Sequence, residues 1–201
     1  MAWIKTINYD EADGQLRKVY DKIKGEDNYI DNIMLVHSLR PNSLEGHMSL
    51  YKNALHHSSN KLPKWFLEAI GVYVSFLNNC QYCVKHHFQG MSRRINDDHI
   101  SNRIRVALAN DAPDMYFTGK ELAIMDYVRL LTLEPGTIKQ RDVSLLQSTG
   151  IPDGHILEIN QVVAYFSYAN RTVLGLGVNT DNEILGLSPS NSDDAEDWHH
   201  K

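Results

Sequence analysis

The sequence predicts an all-helical protein, and three observations carry that prediction. Apolar residues recur three or four positions apart along most of the chain, which is the spacing that places them on one face of a helix. Prolines, glycines and asparagines fall between these periodic segments, where helices end. No segment shows the alternation of polar and apolar residues that is typical of a strand. The 201 residues are enough for one well-packed core.

The N-terminal helices are predicted within residues 10–55. Acidic residues at positions 10, 11 and 13 suit a first helical turn, because carboxylates there face the positive end of the helix dipole. A loop near residues 25–31 separates this helix from a short one that ends before Pro41. A third amphipathic helix is predicted over residues 42–55, and His56 and His57 after it are expected at the surface.

A helical hairpin is predicted over residues 62–91. Pro63 suits the first turn of its first helix, because the missing N–H would be unpaired there in any residue. This helix is apolar on more than one side, which indicates that it is buried. Asn78 and Asn79 interrupt it, since asparagine favours turns and caps. Asn79 is a candidate N-cap for the second helix, predicted from Cys80 to about Gly90.

The C-terminal helices are predicted within residues 97–175. Pro-Gly at 135–136 and the Gly and Pro at 150 and 152 mark helix boundaries. Residues 1–187 are predicted to form one domain, and the Ser-, Asp- and His-rich stretch 188–201 to form a flexible polar tail. The predicted helices cover residues 97–109, 118–133, 140–148 and 152–174.

Composition narrows the classes of function. The net charge of -5 argues against a nucleic-acid surface, which needs clustered Lys and Arg. No apolar run approaches the ~18 residues that cross a bilayer, so no membrane partner is expected. The N-terminus does not show the basic start and apolar core of a secretory signal. We therefore expect a cytoplasmic protein.

The two cysteines of the chain, Cys80 and Cys83, lie three positions apart. A disulfide framework that holds a small secreted fold together needs more cysteines, spread along the chain. A bond between these two closes a very small loop and constrains the unfolded chain little. The pair therefore predicts thiol chemistry rather than a structural cross-link.

Cys80, Cys83 and His87 share one face of the predicted helix, because their spacings are three and four. A helix N-terminus favours the thiolate form of a cysteine, and a neighbouring histidine can carry its proton. The helix dipole favours Cys80 as the attacking thiol. Proximity to His87 favours Cys83, about 6 Å along the helix against about 10 Å for Cys80. The residues alone leave both assignments open.

Glu68 is a candidate partner for His87. It lies in an apolar helix segment, where a buried carboxylate needs a partner. If the chain reverses at Asn78 and Asn79, Glu68 and His87 both lie about 12–15 Å from the turn and can meet. A carboxylate that orients a histidine, which serves a thiolate, is the arrangement of an activated nucleophile. The alternative is a structural carboxylate paired with Lys64.

The pattern of Glu68, eleven intervening residues, and Cys80-x-x-Cys83-x-x-x-His87 resembles the active-site signature of the AhpD-like alkylhydroperoxidase family. That family is part of the carboxymuconolactone decarboxylase superfamily, and the resemblance covers about residues 2–180. Further stretches look like its peroxidase-related branch. These are Ala-Trp-Ile-Lys-Thr-Ile at the start, Asp-Asn-Ile-Met at 31–34, Asn-Arg at 170–171 and Gly-Leu-Gly-Val at 175–178.

The resemblance implies an AhpD-like helical bundle that forms homo-oligomers through helix packing. It also implies thiol-dependent reduction of hydroperoxides, in which Cys83 attacks, Cys80 resolves, and Glu68 and His87 relay the proton. A protein or small-molecule thiol or dithiol would be the reductant. No cofactor is needed, because the two sulfurs carry the two electrons. The chain departs from well-studied peroxidases at Tyr82, where they have a histidine.

Three alternatives to the thiol-dependent peroxidase stay open. The first is a non-enzymatic redox sensor, whose cysteine pair responds to oxidation. The second is a zinc-stabilised oligomer, with Cys80, Cys83, His87 and Glu68 as ligands. The third is a lyase of the carboxymuconolactone decarboxylase type, which would use Glu68 and His87 as base. The adjacent His86 is expected at the surface, and no role is assigned to Arg171.

Overall fold

The computed structural model describes residues 2–200, and its regular structure is helical, as predicted. Within those residues no strand forms, and one antiparallel bridge joins Pro189 to His200. No helix among them is both long enough and apolar enough to cross a bilayer. The α-helices are α1 (Gly14–Ile23), α2 (Asn32–Leu35), α3 (Pro41–Tyr51), α4 (Lys64–Leu77), α5 (Gln81–Ile95), α6 (Asp98–Ala109), α7 (Gly119–Leu133), α8 (Gln140–Ser148) and α9 (Asp153–Leu176).

Several helix ends differ from the predicted ones. The acidic residues near the start form a short 3-10 turn, Tyr9–Glu11, and α1 begins only at Gly14. The helix predicted over 42–55 is α3 followed by a π turn, Lys52–His56. His56, expected at the surface, is buried and packs edge-on against Tyr51, with ring centroids 4.8 Å apart.

The chain divides into two compact units. One contains the described residues up to Asn60 and those from Arg171 onward, and the other is Lys61–Asn170. This division cuts through the range 1–187 that the sequence predicts as a single domain. Residues 1 and 201 of the predicted domain and tail lie outside the described residues. The boundaries of an independently folding domain stay a prediction.

The first unit contains α1, α2 and α3 together with the C-terminal segment. Helix α1 packs against α3, and its buried positions follow helical spacing, which is the pattern of an amphipathic surface helix. The buried side chains of these helices include Leu16, Val19, Tyr20, Ile23, Leu44 and Met48.

The C-terminal segment lies against the π turn of this unit. Lys52 is fully buried, and its Nζ donates to the carbonyl oxygen of Ser190 and to Oγ of Ser192. Ser58 N–H donates to the carbonyl oxygen of Ser192, and Trp198 is buried. The flexibility of residues 188–201 stays a prediction. Movement of this segment away from the π turn would break these hydrogen bonds.

The second unit is built around α4, which packs against α5, α6 and α7. Residues Phe66 to Ser75 are all buried, so this helix is covered on every side, as its apolar composition predicts. Gly71 permits the close approach of α9, because a Cβ there would lie 2.1 Å from the ring of Phe166. Helix α4 thus brings its buried positions, Glu68 among them, into the centre of this unit.

Candidate active site

The turn between α4 and α5 determines where the predicted site residues meet. Asn79 has a φ of 58°, in the left-handed region that asparagine tolerates better than most residues. Cys80, rather than Asn79 as predicted, is the N-cap of α5. The Cys80 N–H donates to the carbonyl oxygen of Ser75 at 2.8 Å, which closes the turn. The two helices therefore form the hairpin that the sequence predicts, and α5 extends to Ile95.

Glu68 and His87 meet across this hairpin. Oε2 of Glu68 lies 2.7 Å from Nδ1 of His87, and Glu68 is only 3 % exposed. Nε of Arg94, two turns beyond His87 on α5, lies 3.8 Å from the other carboxylate oxygen, Oε1. The carboxylate thus lies between a histidine and a guanidinium, both of which belong to α5.

Gly90 leaves room for the carboxylate. A Cβ at position 90 would lie 3.2 Å from Oε1 and 3.3 Å from Cδ of Glu68, closer than ordinary van der Waals contact. Position 90 is one turn after His87 and one turn before Arg94, so it faces the same side of α5. Glycine here lets Glu68 approach the helix surface between its two partners.

Phe166 on α9 fixes the other side of the histidine ring. The centroids of the His87 and Phe166 rings are 4.5 Å apart, and the ring planes are nearly perpendicular at 82°. The edge-to-face arrangement is a favourable geometry for aromatic pairs. His87 is thus held by a carboxylate at Nδ1 and by an aromatic ring against its own ring.

The two cysteines are reduced, buried and close together. Their Sγ atoms lie 3.2 Å apart, within hydrogen-bonding distance and beyond the ~2.05 Å of a disulfide bond. The hydrogen bond with the Cys83 thiol is the main reason that the pKa of Cys80 lies below its usual value. Burial opposes it, and the backbone N–H groups of Cys83 and Tyr82 and the side chain of Asn170 lower the pKa further. The pKa of the Cys80 thiol therefore lies below that of an ordinary cysteine.

The residues next to the signature also lie inside the unit. His86, expected at the surface, is buried and stacks on Tyr82, with ring centroids 4.6 Å apart. Tyr82, which departs from the family pattern, is buried as well. Arg171 is exposed on α9.

A metal-binding arrangement is not formed by these groups. Nowhere in residues 2–200 do three or more His, Cys, Asp or Glu side chains have the geometry to hold a metal ion. In the predicted zinc set, Glu68 directs one oxygen at Nδ1 of His87. Among the described residues, therefore, no group of side chains is arranged as the zinc-stabilised alternative would require.

Sequence reasoning missed four residues that contact the site. Arg94 is seven positions after His87, and Gly90 is three, so helical spacing could have placed both beside it. The sequence pattern assigns no role to Phe166, and Asn170 enters only as part of the family resemblance. These two come from α9, more than 70 residues along the chain, and no local pattern points to their contacts with α4 and α5.

The comparisons with known proteins rest on structure. No protein-family model matches the sequence, and neither does any curated protein. Solved structures do match. One is the alkylhydroperoxidase AhpD core of an uncharacterized peroxidase-related protein from Ralstonia eutropha JMP134, with a TM-score of 0.73 and 18 % identity over 90 % of this chain and 93 % of that one. The chain has the AhpD-like fold.

Two further neighbours share this AhpD-like fold. An uncharacterized peroxidase-related protein from Silicibacter sp. TM1040 has a TM-score of 0.66 and 21 % identity, over 77 % of this chain and 78 % of that one. The debrominase Bmp8, in a variant bound to 2,3,4-tribromopyrrole, has a TM-score of 0.67 and 17 % identity, over 89 % and 91 %. At these identities the likeness concerns the fold.

Proposed function

We propose that this AhpD-like protein is a thiol-dependent peroxidase that reduces hydroperoxides through a cycle of Cys80 and Cys83. The observation that carries the proposal is the buried pair of thiols, 3.2 Å apart, on the same helix as a histidine whose Nδ1 faces a carboxylate. A thiolate attacks peroxide, and a second thiol nearby resolves the product before it is oxidised further. The peroxidase-related neighbours of the same fold support the same class of reaction.

In the proposed first step, Cys83 attacks the hydroperoxide. Glu68 accepts the Nδ1 hydrogen of His87, which leaves Nε2 free to take the proton of the Cys83 thiol. The Cys83 thiolate attacks the terminal peroxide oxygen, the O–O bond breaks, and Cys83 becomes a sulfenic acid. The leaving alkoxide takes the proton from His87 and departs as an alcohol. His87 lies one turn after Cys83 on α5, about 6 Å along the helix axis.

In the second step, Cys80 resolves the sulfenic acid. Its thiolate attacks the Cys83 sulfur, an S–S bond forms and the S–O bond breaks, and the hydroxide takes up a proton to leave as water. An external thiol or dithiol then reduces the disulfide by exchange and is itself oxidised. Sulfur carries both electrons, so the cycle requires no organic cofactor. Such a reductant suits the cytoplasm, the compartment that we propose.

The experiment is hydroperoxide consumption by purified protein with dithiothreitol as reductant. Wild type is compared with Cys83→Ser and Cys80→Ser. We expect turnover in wild type, none above buffer in Cys83→Ser, and in Cys80→Ser at most a first turnover followed by inactivation. Absence of turnover in fully reduced wild type would overturn the peroxidase proposal and leave a redox sensor as the better account.

Reductive debromination is a second candidate. The debrominase neighbour matches about nine-tenths of both chains, and a dithiol can supply the two electrons that this reaction needs. The aryl–bromine bond breaks, the ring gains a hydrogen, bromide leaves, and the dithiol becomes a disulfide. Bromide release from 2,3,4-tribromopyrrole under the same reducing conditions tests it. Release that is lost in Cys83→Ser, without peroxide turnover in wild type, would favour this candidate.

We also propose that the protein forms homo-oligomers. Large apolar side chains remain exposed on α9, including Leu157, Tyr168 and Leu174. Exposed apolar residues on one helix suit helix packing between copies. Sedimentation velocity measures the mass directly, and a monomer at micromolar concentration would overturn this part of the proposal.

A further inference from the structure

The carboxyl group of Glu68 lies where burial favours its neutral form. Glu68 is 3 % exposed, and its neighbours on α4 from Phe66 to Ser75 are all buried. Transfer of a carboxylate from water into such surroundings penalises the ionised form, so a buried glutamate far from positive charge takes up a proton. The proposed proton relay needs the ionised form, because a neutral carboxyl group cannot stabilise a positively charged His87. The relay therefore requires a cation close to Glu68.

Arg94 places a cation beside this carboxylate. Its Nε lies 3.8 Å from Oε1 of Glu68, and this nitrogen is buried although the side chain as a whole is 26 % exposed. The distance is too long for a hydrogen bond but within the range of an ion pair, so the contact acts through charge. A guanidinium stays protonated in proteins. An opposite charge at this range favours the ionised carboxylate, and burial limits its screening by salt.

The two carboxylate oxygens are divided between two partners on α5. Oε2 of Glu68 faces Nδ1 of His87 at 2.7 Å, whereas Oε1 faces Arg94. Gly90 lies between the two partners on the same face of the helix, and a Cβ there would come within 3.2 Å of Oε1. Arg94 thus acts on the charge of Glu68 without competing for the oxygen that orients His87.

We propose that Arg94 is a positioning residue that keeps Glu68 ionised, so that the carboxylate can hold His87 as the base for Cys83. This inference rests on the peroxidase cycle proposed above. In the step concerned, the thiol proton of Cys83 moves to Nε2 of His87, and Glu68 stays an anion beside the imidazolium. Arg94 neither gives nor takes a proton, because its guanidinium does not titrate in proteins.

The other titratable groups of the surrounding helices are the same in all the variants of Arg93 and Arg94 that test this role. Helix α6, which packs against α4 and α5, buries uncharged side chains. The titratable side chains of the other helices include Lys64 and Tyr73 on α4, Cys83 and His86 on α5, Tyr127 on α7 and Tyr165 on α9.

Infrared spectroscopy measures the protonation of Glu68 directly, because a protonated carboxyl group has a carbonyl stretch that a carboxylate lacks. The Glu68 band is the one that Glu68→Gln removes in the same background. Wild type should show no such band at neutral pH. In Arg94→Met the band should appear at a pH about one unit higher than in wild type, or more. A Glu68 acid band in neutral wild type would overturn the inference, whether or not Arg94→Met folds.

Arg93→Met is the matched control. Arg93 is exposed and precedes Arg94 in the last turn of α5. Both substitutions remove one cation from the helix C-terminus, where basic residues are stabilising, so the contact with Glu68 is what distinguishes them. Arg93→Met should leave the Glu68 band at its wild-type pH. Arg94→Lys keeps the charge and should restore most of the shift.

A purely structural role for Arg94 predicts a different result. Thermal unfolding establishes that each variant is folded, and if Arg94→Met is not, the equally neutral Arg94→Gln takes its place. Lower thermal stability with an unmoved Glu68 band in the folded neutral variant would overturn the inference. An equal shift of the band in Arg93→Met would overturn it as well, because the effect would then belong to net charge rather than to the contact.

The pH profile of peroxide turnover connects the inference to the proposed cycle. As the pH falls, Arg94→Met should lose turnover about one unit earlier than wild type, which is about tenfold lower turnover at a given pH on the acidic limb. The two failures are distinguishable. Wild type without peroxide turnover would defeat the proposed function while the infrared result still stands, whereas an unmoved band defeats the role of Arg94 whatever the enzyme does.

Discussion

Oε2 of Glu68 and Nδ1 of His87 lie 2.7 Å apart, although 19 residues separate them in the chain. Their contact joins the buried face of α4 to the face of α5 that carries both cysteines. It gives the buried carboxylate a hydrogen-bonding partner and gives the histidine ring a fixed orientation. The proposed proton relay depends on this relationship, and several expected outcomes follow from it.

Replacing Glu68 by Gln should lower the turnover number for hydroperoxide by about 100-fold, the scale of a general acid–base contribution. The amide keeps the shape of the side chain but cannot stabilise a protonated His87. Steady-state peroxide consumption measures the change. Glu134→Gln, at an exposed position at the end of α7, is the matched control and should leave turnover unchanged. Equal turnover in the two variants would remove Glu68 from the relay.

Gly90→Ala should lower peroxide turnover without the gain in stability that a Gly→Ala change in a helix ordinarily brings. Glycine inside a helix costs about 0.5–1 kcal/mol relative to alanine, so the substitution ordinarily stabilises. Here the new Cβ would lie 3.2 Å from Oε1 of Glu68 and has to displace the carboxylate from its position beside His87. We therefore expect a several-fold loss of peroxide turnover and little or no gain in the free energy of unfolding.

Gly46→Ala provides the comparison for this prediction. Gly46 lies inside α3, and a Cβ there would meet nothing within 4 Å. It should raise the free energy of unfolding by about 0.5–1 kcal/mol without changing turnover. Denaturant unfolding and peroxide consumption are measured on both variants. If Gly90→Ala stabilises as much as Gly46→Ala and keeps full activity, a side chain at position 90 does not displace Glu68.

Asp111 should give the second unit a pH-dependent stability. Its carboxylate accepts hydrogen bonds from Nε of Arg129 at 2.9 Å and from the hydroxyl of Tyr73 at 2.6 Å. The bond from Arg129 is the main reason that the pKa of Asp111 lies below its usual value. A depressed folded-state pKa contributes stability that is present above the unfolded-state value, about 4, and is lost as the pH falls through the folded-state value.

Asp111→Asn tests this dependence, and asparagine tolerates the positive φ of 51° at this position. The variant should be less stable than wild type at neutral pH and should lose less stability as the pH falls below about 4. Denaturant midpoints measured across that range give both quantities. Parallel curves for the two proteins would show that the carboxylate contributes no pH-dependent stability.

Lys52 should hold the C-terminal segment in place. Its buried Nζ contacts Ser190 and Ser192, so Lys52→Met leaves two acceptors without their donor, at a cost of about 1–3 kcal/mol. Amide hydrogen exchange over residues 189–200 should then speed up by about fivefold or more. Lys18→Met, at an exposed position of α1, is the control and should leave the exchange of this segment unchanged. Rapid exchange already in wild type would instead support the flexible tail predicted from the sequence.

The helical fold and the central contact of the site could be predicted because both depend on local spacing. Periodic apolar residues define the helices, and counting residues on either side of Asn78 and Asn79 brings Glu68 opposite His87. The same counting places the cysteines and His87 on one face. It also misplaces the N-cap by one residue, because the left-handed turn at Asn79 moves the N-cap to Cys80 and the first helical residue to Gln81.

The rest of the site depends on contacts that no local pattern contains. Asn170 meets Asn78 across 92 residues of chain, and Phe166 reaches His87 from the same distant helix. His86 was expected at the surface because it is polar, yet its ring stacks on Tyr82 one turn earlier and both are buried. Burial of a polar residue is decided by the elements that cover it, and periodicity does not identify them.

In the proposed cycle, one hydroperoxide oxidises the Cys80 and Cys83 thiols together. The most direct measurement adds one equivalent of an organic hydroperoxide to the reduced protein without any reductant, then counts free thiols and weighs the peptide that carries both cysteines. We predict that both thiols disappear for each peroxide consumed and that the peptide loses two hydrogens, with one alcohol formed. If both thiols remain titratable and the hydroperoxide is not consumed, the proposed cycle is contradicted.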